Sequence, residues 1–355
     1  MAKLRTGFTT GTCAAAGATA GLAAVLDQKR QECVDVLLPK GQIVQISLHS
    51  CEFGEDWARC SVIKDGGDDP DVTHGAEIVT DVRITETTGI EIDGGIGVGT
   101  VTKPGLGLEI GRPAINPVPK KMIRENLARI GGDLLSRNGI RITISVPTGE
   151  ELAPKTDNPR LGILGGISIL GTSGIVIPFS TASFAASIRQ NLDVALAMGD
   201  RSVVLTTGGR SEDFAKSMID LSDHCFVQMG DFAGYAISQC AKKGITNVTI
   251  IGFIGKLAKM AKGVKQTHVK GSKVDMRFLA GVAEEAGASE DITHQIRVAN
   301  TARHVLEIVK ENEVAGFLDG LTALVRHHMS EHAQGKVSVS VILLDFDGER
   351  LSRCG

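Results

Sequence analysis

Aromatic residues are scarce in this 355-residue chain: they make up 4%, with one Trp and one Tyr. That excludes a stacking platform for single-stranded nucleic acid, which needs a series of rings along a basic groove. Charge of one sign is missing too. Thirty-eight basic against 41 acidic residues leave a formal net charge of -3, no field to hold DNA or an anionic membrane. The seven cysteines contain no C-x-x-C pair, and their odd number speaks against a disulfide framework and for a reducing, cytoplasmic setting. Cys51 and Cys60, near His49, lack the paired spacing and ligand count of a structural zinc site, so no protein-bound metal is expected. An uninterrupted apolar run is absent as well. Residues 6–26 follow Lys3 and Arg5 as a leader would, but Thr and Gly break them up until Leu22. Residues 161–188 carry no charge, yet Gly, Ser, Thr and Pro178 interrupt them repeatedly, which excludes a membrane helix.

What is present is enough apolar surface, 42% of residues, for more than one core. The rhythm changes along the chain. Residues 33–38 and 42–48 flank Pro39-Lys40-Gly41 as a hairpin, and strands are expected at 57–64, 78–85 and 140–146. Helices are expected at 12–28 and 119–130, the second with Asn116 as cap and Pro117 at its first position. From Gly174 strand and helix alternate, with apolar strands at 175–179, 202–206, 225–229 and 247–252, an order that implies parallel pairing. Helices near 274–286, 293–310 and 313–333 and a strand over 336–344 follow. The expectation is an N-terminal α+β domain (1–155) followed by a Rossmann-like parallel α/β domain (156–335), with the membership of 336–355 open.

Two places invite a ligand on residue chemistry alone. At the start, Arg5 to Ala16 joins glycines and the hydroxyls of Thr9, Thr10 and Thr12 to an alanine-rich helix. Such a junction either caps the helix or holds an anion at its unpaired N–H groups. The second place is the set of strand exits in the parallel half, where α/β sheets bind ligands. They read Ser180-Thr181, Thr206-Thr207-Gly208-Gly209-Arg210, Gly230-Asp231 and Gly252-Phe253-Ile254-Gly255-Lys256. Glycine permits close backbone approach, and an acidic strand end either accepts ribose hydroxyls or caps the next helix. Glu91 to Gly99 has the look of a nucleotide loop, but Thr100 to Gly105 cannot open a helix after it, so a glycine-rich turn is expected. Asp65, Asp68, Asp69 and Asp71 crowd one turn without the spacing of a calcium loop. Lys256, Lys259, Lys262, Lys265 and Lys270, with His268, form a basic stretch.

Several segments resemble the CbiD family, the cobalt-precorrin-5B carbon-1 methyltransferases of the oxygen-independent cobalamin pathway. They are the opening run from Leu4 to Ala16, Lys64 to Gly75, Gly97 to Leu106, Ala114 to Pro119, Asn158 to Thr172, and Gly255-Lys256-Leu257. Two positions depart from what the family leads one to expect: Phe253 stands where histidine is expected, and Val269 where serine is. The resemblance implies S-adenosylmethionine as methyl donor, and the strand-exit residues Thr207, Gly208, Gly209, Asp231, Gly252, Gly255 and Lys256 are the ones expected to hold it. It implies an anionic tetrapyrrole substrate held by Arg5, Thr9, Thr10, Thr12, Lys103 and Asn116, with Arg112, Lys120, Arg124 and Arg210 as further cations for its carboxylates. Asp69 and His74 are then the catalytic candidates for moving a proton. A nicotinamide-dependent reductase of the same ring and a non-catalytic tetrapyrrole carrier remain alternatives, and a homo-oligomer is left open.

Overall fold

The computed structural model describes residues 4–268 and 271–355, so Val269 and Lys270 lie outside the described residues. The chain divides into two compact units, Met1–Thr181 and Ala182–Gly355.

The first unit holds β1 (Gly7–Phe8), α1 (Thr10–Asp27), β2 (Cys33–Leu37), β3 (Ile43–Ser47), β4 (Ser50–Phe53), β5 (Trp57–Ile63), β6 (Glu77–Thr85), β7 (Gly89–Gly94) and β8 (Thr100–Val101). It continues with α2 (Pro117–Gly131), α3 (Leu134–Arg137), β9 (Gly139–Ser145), α4 (Gly149–Leu152), β10 (Ile163–Leu164) and β11 (Ile175–Val176). Its main sheet runs β4-β5-β6-β9-β7, antiparallel except where β7 meets β9. Ile140, Ile142 and Ile144 of β9 alternate with exposed Arg141 and half-buried Thr143, so one face of the sheet is core. Helix α1 lies on that sheet with fifteen of its eighteen residues buried, and small residues let it come close. A Cβ on Gly17 would sit 2.6 Å from Thr80 Oγ1, and one on Gly21 2.5 Å from Val82 Cγ2. Buried Asn126 of α2 accepts from Leu37 N–H (2.8 Å) and donates to Leu37 C=O (2.9 Å), tying the hairpin to the helix layer.

The second unit holds α5 (Thr181–Ala197), β12 (Ser202–Thr206), α6 (Gly209–Met218), β13 (Phe226–Gln228), α7 (Ala233–Lys243), β14 (Asn247–Phe253) and α8 (Ile254–Ala261). Then come α9 (Met276–Glu285), α10 (Glu290–Val298), α11 (Ala302–Glu311), α12 (Phe317–His332), β15 (Ser338–Leu344) and β16 (Arg350–Cys354). The sheet order is β13-β12-β14-β15-β16, parallel up to β15 and antiparallel at the last strand. Both faces are covered, as a parallel sheet requires. Val203, Leu205, Val248 and Ile250 pack with α5, α7, α8 and α12, while Val204, Ile251 and Ile342 pack with α6.

The expected α+β and parallel α/β classes are both present, with differences in detail. The run expected as the first parallel strand, 175–179, is a two-residue strand paired antiparallel to β1 in the first unit. Pro178 cannot donate to a ladder and ends it. The fourth parallel strand is instead β15, so the C-terminal segment belongs to the second unit's sheet. The division between units falls at 181/182, downstream of the expected 155/156, because β10 pairs with β8 and Ile167 and Ile169 bridge to Val98 and Ile115. The helix expected over 293–310 is two helices, since Thr301 caps α11 by accepting from His304 N–H.

Candidate functional site

The helix start resolves as a cap and clasp. Thr9 Oγ1 accepts from Thr12 N–H (3.2 Å), Thr12 Oγ1 donates to Gly174 C=O (2.7 Å), and Gly11 N–H donates to Leu170 C=O (3.0 Å). Thr10 Oγ1 donates to Ser168 C=O (3.2 Å) and accepts from Leu170 N–H (2.9 Å). Thr9, Thr10 and Thr12 are all buried. Segment 168–174 of the same unit thus engages the Thr10 and Thr12 hydroxyls and the Gly11 N–H, and Thr9 Oγ1 caps the helix. Arg5 is engaged as well. Its guanidinium grips the Asp65 carboxylate with two bonds, and its backbone N–H donates to Asp68 Oδ2 (2.6 Å). The bond from Arg5, helped by Gly67 N–H, holds the Asp65 carboxyl down to about 2.

The acidic turn is fixed from below by Lys64, which is 1% exposed and donates to Asp71 Oδ2 at 2.6 Å. Burial pushes the Asp71 carboxyl up, but the Lys64 and Thr73 bonds outweigh it and hold it below the ordinary carboxylate value. The two catalytic candidates in this turn are not joined. Asp69 Oδ1 accepts from Phe179 N–H (2.8 Å), whereas His74 Nδ1 accepts from Gly66 N–H (3.0 Å). The carboxylate facing His74 is that of Asp65, at 3.7 Å. With Nδ1 accepting, the neutral ring carries its proton on Nε2, so His74 is arranged as a donor and its base lone pair is occupied.

Lys103, Lys120 and Arg124 have no carboxylate partner among the described residues, and the Asn116 side chain makes no capping bond although it precedes α2. Arg112 lies 3.7 Å from Glu109 on the surface. The glycine-rich turn after β7 is a backbone crossing. A Cβ on Gly97 would lie 1.9 Å from Val146 C=O, and one on Gly166 2.2 Å from Gly97 C=O, so these glycines serve chain packing.

In the second unit, β13 lies on one side of β12 and β14 on the other, which makes the carboxyl ends of β12 and β14 a topological switch point. Thr207, Gly208 and Gly209 leave the first of these ends, Gly252, Gly255 and Lys256 the second. A Cβ on Gly208 or Gly255 would meet nothing within 4 Å, and one on Gly209 only Gln228 Nε2 at 3.8 Å. This is open space that a bound group can fill. Gly252 differs: its Cβ would lie 2.5 Å from Thr207 Cγ2, so the space beside it is filled by the chain itself. Lys256 Nζ donates to Thr207 C=O (2.7 Å) and lies 3.3 Å from Asp231 Oδ1, which also accepts from Thr267 Oγ1 (3.1 Å). Asp231 does not cap α7, whose cap is Phe232, and its Oδ2 has no hydrogen-bond partner among the described residues. Thr206 Oγ1, at the end of β12, is buried without a hydrogen-bond partner among the described residues.

Several residues here escaped the sequence reading. Lys259, read as part of a basic surface stretch, is buried and donates to Thr267 C=O (2.7 Å). Burial lowers its ammonium below the ordinary lysine value, against the pull of Asp231 and with the push of Lys256. Phe253 stacks on Phe346 (centroids 5.4 Å apart) and meets Phe214 edge-on, with Arg210 above both Phe214 and Phe253. Arg210 also donates to Phe346 C=O, so it is anchored to this cluster. An aromatic so close in sequence to a strand exit was the only available signal.

A family model described as CbiD matches residues 1–178, and one described as the CbiD C-terminal domain matches residues 266–355. A cobalt-precorrin-5B C(1)-methyltransferase of Rubrobacter xylanophilus is 49% identical, covering 97% of this chain and 89% of the relative. Proteins of the same name from Geobacillus kaustophilus and Leptospira interrogans are 47% and 46% identical, each covering 99% of this chain and 94% and 96% of the relative. The crystal structure of a cobalamin biosynthesis protein (CbiD) from Archaeoglobus fulgidus matches 87% of this chain and 85% of its own at 28% identity, with a TM-score of 0.39.

Proposed function

The chain belongs to the CbiD family, and from that premise we propose that it methylates carbon 1 of cobalt-precorrin-5B, giving cobalt-precorrin-6A, in the cytoplasm. The observation that carries this reading is near-half identity, across both units, to curated relatives bearing that activity as their name. The methyl donor of the proposal is S-adenosylmethionine, which supplies an electrophilic methyl carbon. The protein's part is then alignment and exclusion of water. In the second unit, Asp231 Oδ2 accepts from donor hydroxyls, and the open backbone at Gly208, Gly209 and Gly255 admits close approach. Thr207 and Lys256 support that turn and need not touch the ligand, since Lys256 already bridges Thr207 and Asp231. In the first unit, Asn116, Lys120 and Arg124 offer donors to the substrate carboxylates, Lys103, whose Nζ donates to Arg160 C=O at 3.5 Å, keeps further N–H groups for them, and His74 Nε2–H adds a fourth kind of donor.

Calorimetry separates this from the readings the sequence left open. A methyltransferase of this ring binds both S-adenosylhomocysteine and cobalt-precorrin-5B. At about a hundredfold its Kd, S-adenosylhomocysteine adds about 2.7 kcal/mol to folding stability. Binding of NADPH in its place would show a reductase, and ring binding with no donor affinity a carrier.

A further inference from the structure

The structure assigns Phe179 as the surface on which the flat face of the tetrapyrrole rests, with Asp69 as the positioning residue that holds it there. The assignment rests on the substrate proposed above and concerns a residue outside the motifs of the sequence reading.

Phe179 is 68% exposed, the most open aromatic side chain among the described residues. Phe184 and Trp57, both 37% exposed, come next; Phe184 stacks on Phe232 at 5.1 Å, whereas the ring of Phe179 has no aromatic or cationic neighbour among the described residues. Its backbone is unusual too. Phe179 has φ of 54°, in the left-handed region that a bulky side chain avoids, and it follows Pro178 in a turn whose third position ordinarily takes glycine. Such a conformation persists only where its surroundings enforce it.

The enforcement is visible. Phe179 N–H donates to Asp69 Oδ1 at 2.8 Å, a charge-assisted bond spanning 110 residues of sequence. The turn carrying Asp69 is itself fixed by Arg5, gripping Asp65 and Asp68, and by the buried Lys64–Asp71 pair. An exposed ring on a strained, tethered backbone has no role in the core of its unit. Two residues earlier, Ile177, 60% exposed, lines a cleft of about 250 Å³ with Leu38, Ile175 and Lys40. Apolar surface beside a lysine matches a macrocycle with apolar faces and a carboxylate fringe. The ring lies on Phe179 and Ile177, and a carboxylate meets Lys40. A ring held in place before binding also loses little freedom on contact.

The test compares anaerobic binding of cobalt-precorrin-5B, binding of S-adenosylhomocysteine, and Tm across four variants. Phe179→Gly should weaken ring binding about tenfold, the scale of a lost stacking contact. Its Tm should stay level or rise, because glycine adopts the positive φ freely, and S-adenosylhomocysteine affinity should not change. Phe179→Trp should bind the ring within about threefold of wild type, since tryptophan keeps an aromatic face. Asp69→Ala should lose ring affinity as Phe179→Gly does, and Asp69→Asn, which keeps the acceptor oxygen, should restore it. Wild-type affinity in Phe179→Gly, or equal losses in Asp69→Ala and Asp69→Asn, would overturn the assignment while leaving the activity standing. Failure of the wild-type protein to bind the ring would instead remove the activity and the assignment together.

Discussion

Lys64 is the residue whose environment departs most from its type. A fully buried ammonium is tolerable only because Asp71 lies 2.6 Å away, and Asp71 in turn bonds Thr73 N–H and Oγ1. Asp71→Ala strands that charge, and denaturant unfolding should show a loss of about 3 to 5 kcal/mol. Arg5 and Asp65 give a prediction in pH. The Asp65 carboxyl is depressed to about 2, so its contribution to stability is complete above the ordinary value of 3.8 and lost as pH falls through about 2. The stability difference between wild type and Arg5→Ala should therefore be present at neutral pH and close at the acid end. A difference that persists unchanged at pH about 2 would assign the effect to packing and not to charge. None of this could be read from sequence, because a lysine that ends a strand looks the same buried or exposed, and the partner that decides its fate is chosen by the turn. His74 shows the same limit. Its closeness to four aspartates was legible, but the Gly66 N–H that turns its ring into a donor was not.

Elements were read better than their partners. The hairpin, the isoleucine strand at 139–145 and both long helices of the first unit follow from local periodicity and capping, which the sequence carries. Segment 175–179 failed for a physical reason: an apolar run states that a strand is buried and says nothing of which sheet receives it. The helix start at Thr9 was legible as a choice between cap and anion site, and in the structure the Thr9 cap bond is made and segment 168–174 covers the hydroxyls. Thr12→Val removes the shorter of the two bonds that Gly174 C=O accepts, leaving that from Thr9 N–H (3.1 Å), and should cost about 0.5 to 1.5 kcal/mol of stability, with ring affinity unchanged. At the other candidate element, Gly255 sits in the first turn of α8 with open space beside it. Gly255→Ala should stabilise the free protein by about 0.5 kcal/mol through helix propensity, yet weaken binding of S-adenosylhomocysteine. Unchanged affinity in that variant would move the donor away from the switch point.

At the scale of the whole molecule, composition set limits and motifs set identity. A net charge of -3 and few aromatics speak against a nucleic-acid platform, and no helix of the described residues is long and apolar enough to cross a membrane. Glycines quoted as motif turned out to have two distinct uses. Gly97 and Gly166 let backbones cross, whereas Gly208 and Gly255 border open space, and a sequence cannot separate the two because both demand a missing side chain. The division of labour proposed for the units, substrate in the first and donor in the second, follows from where unengaged cations and open strand exits lie. The most direct test of the central claim is anaerobic incubation of the protein with cobalt-precorrin-5B and methyl-labelled S-adenosylmethionine, with the label then located in the ring by mass and NMR. The account predicts one labelled methyl group at carbon 1. A ring recovered without label, or labelled at another carbon, would contradict it.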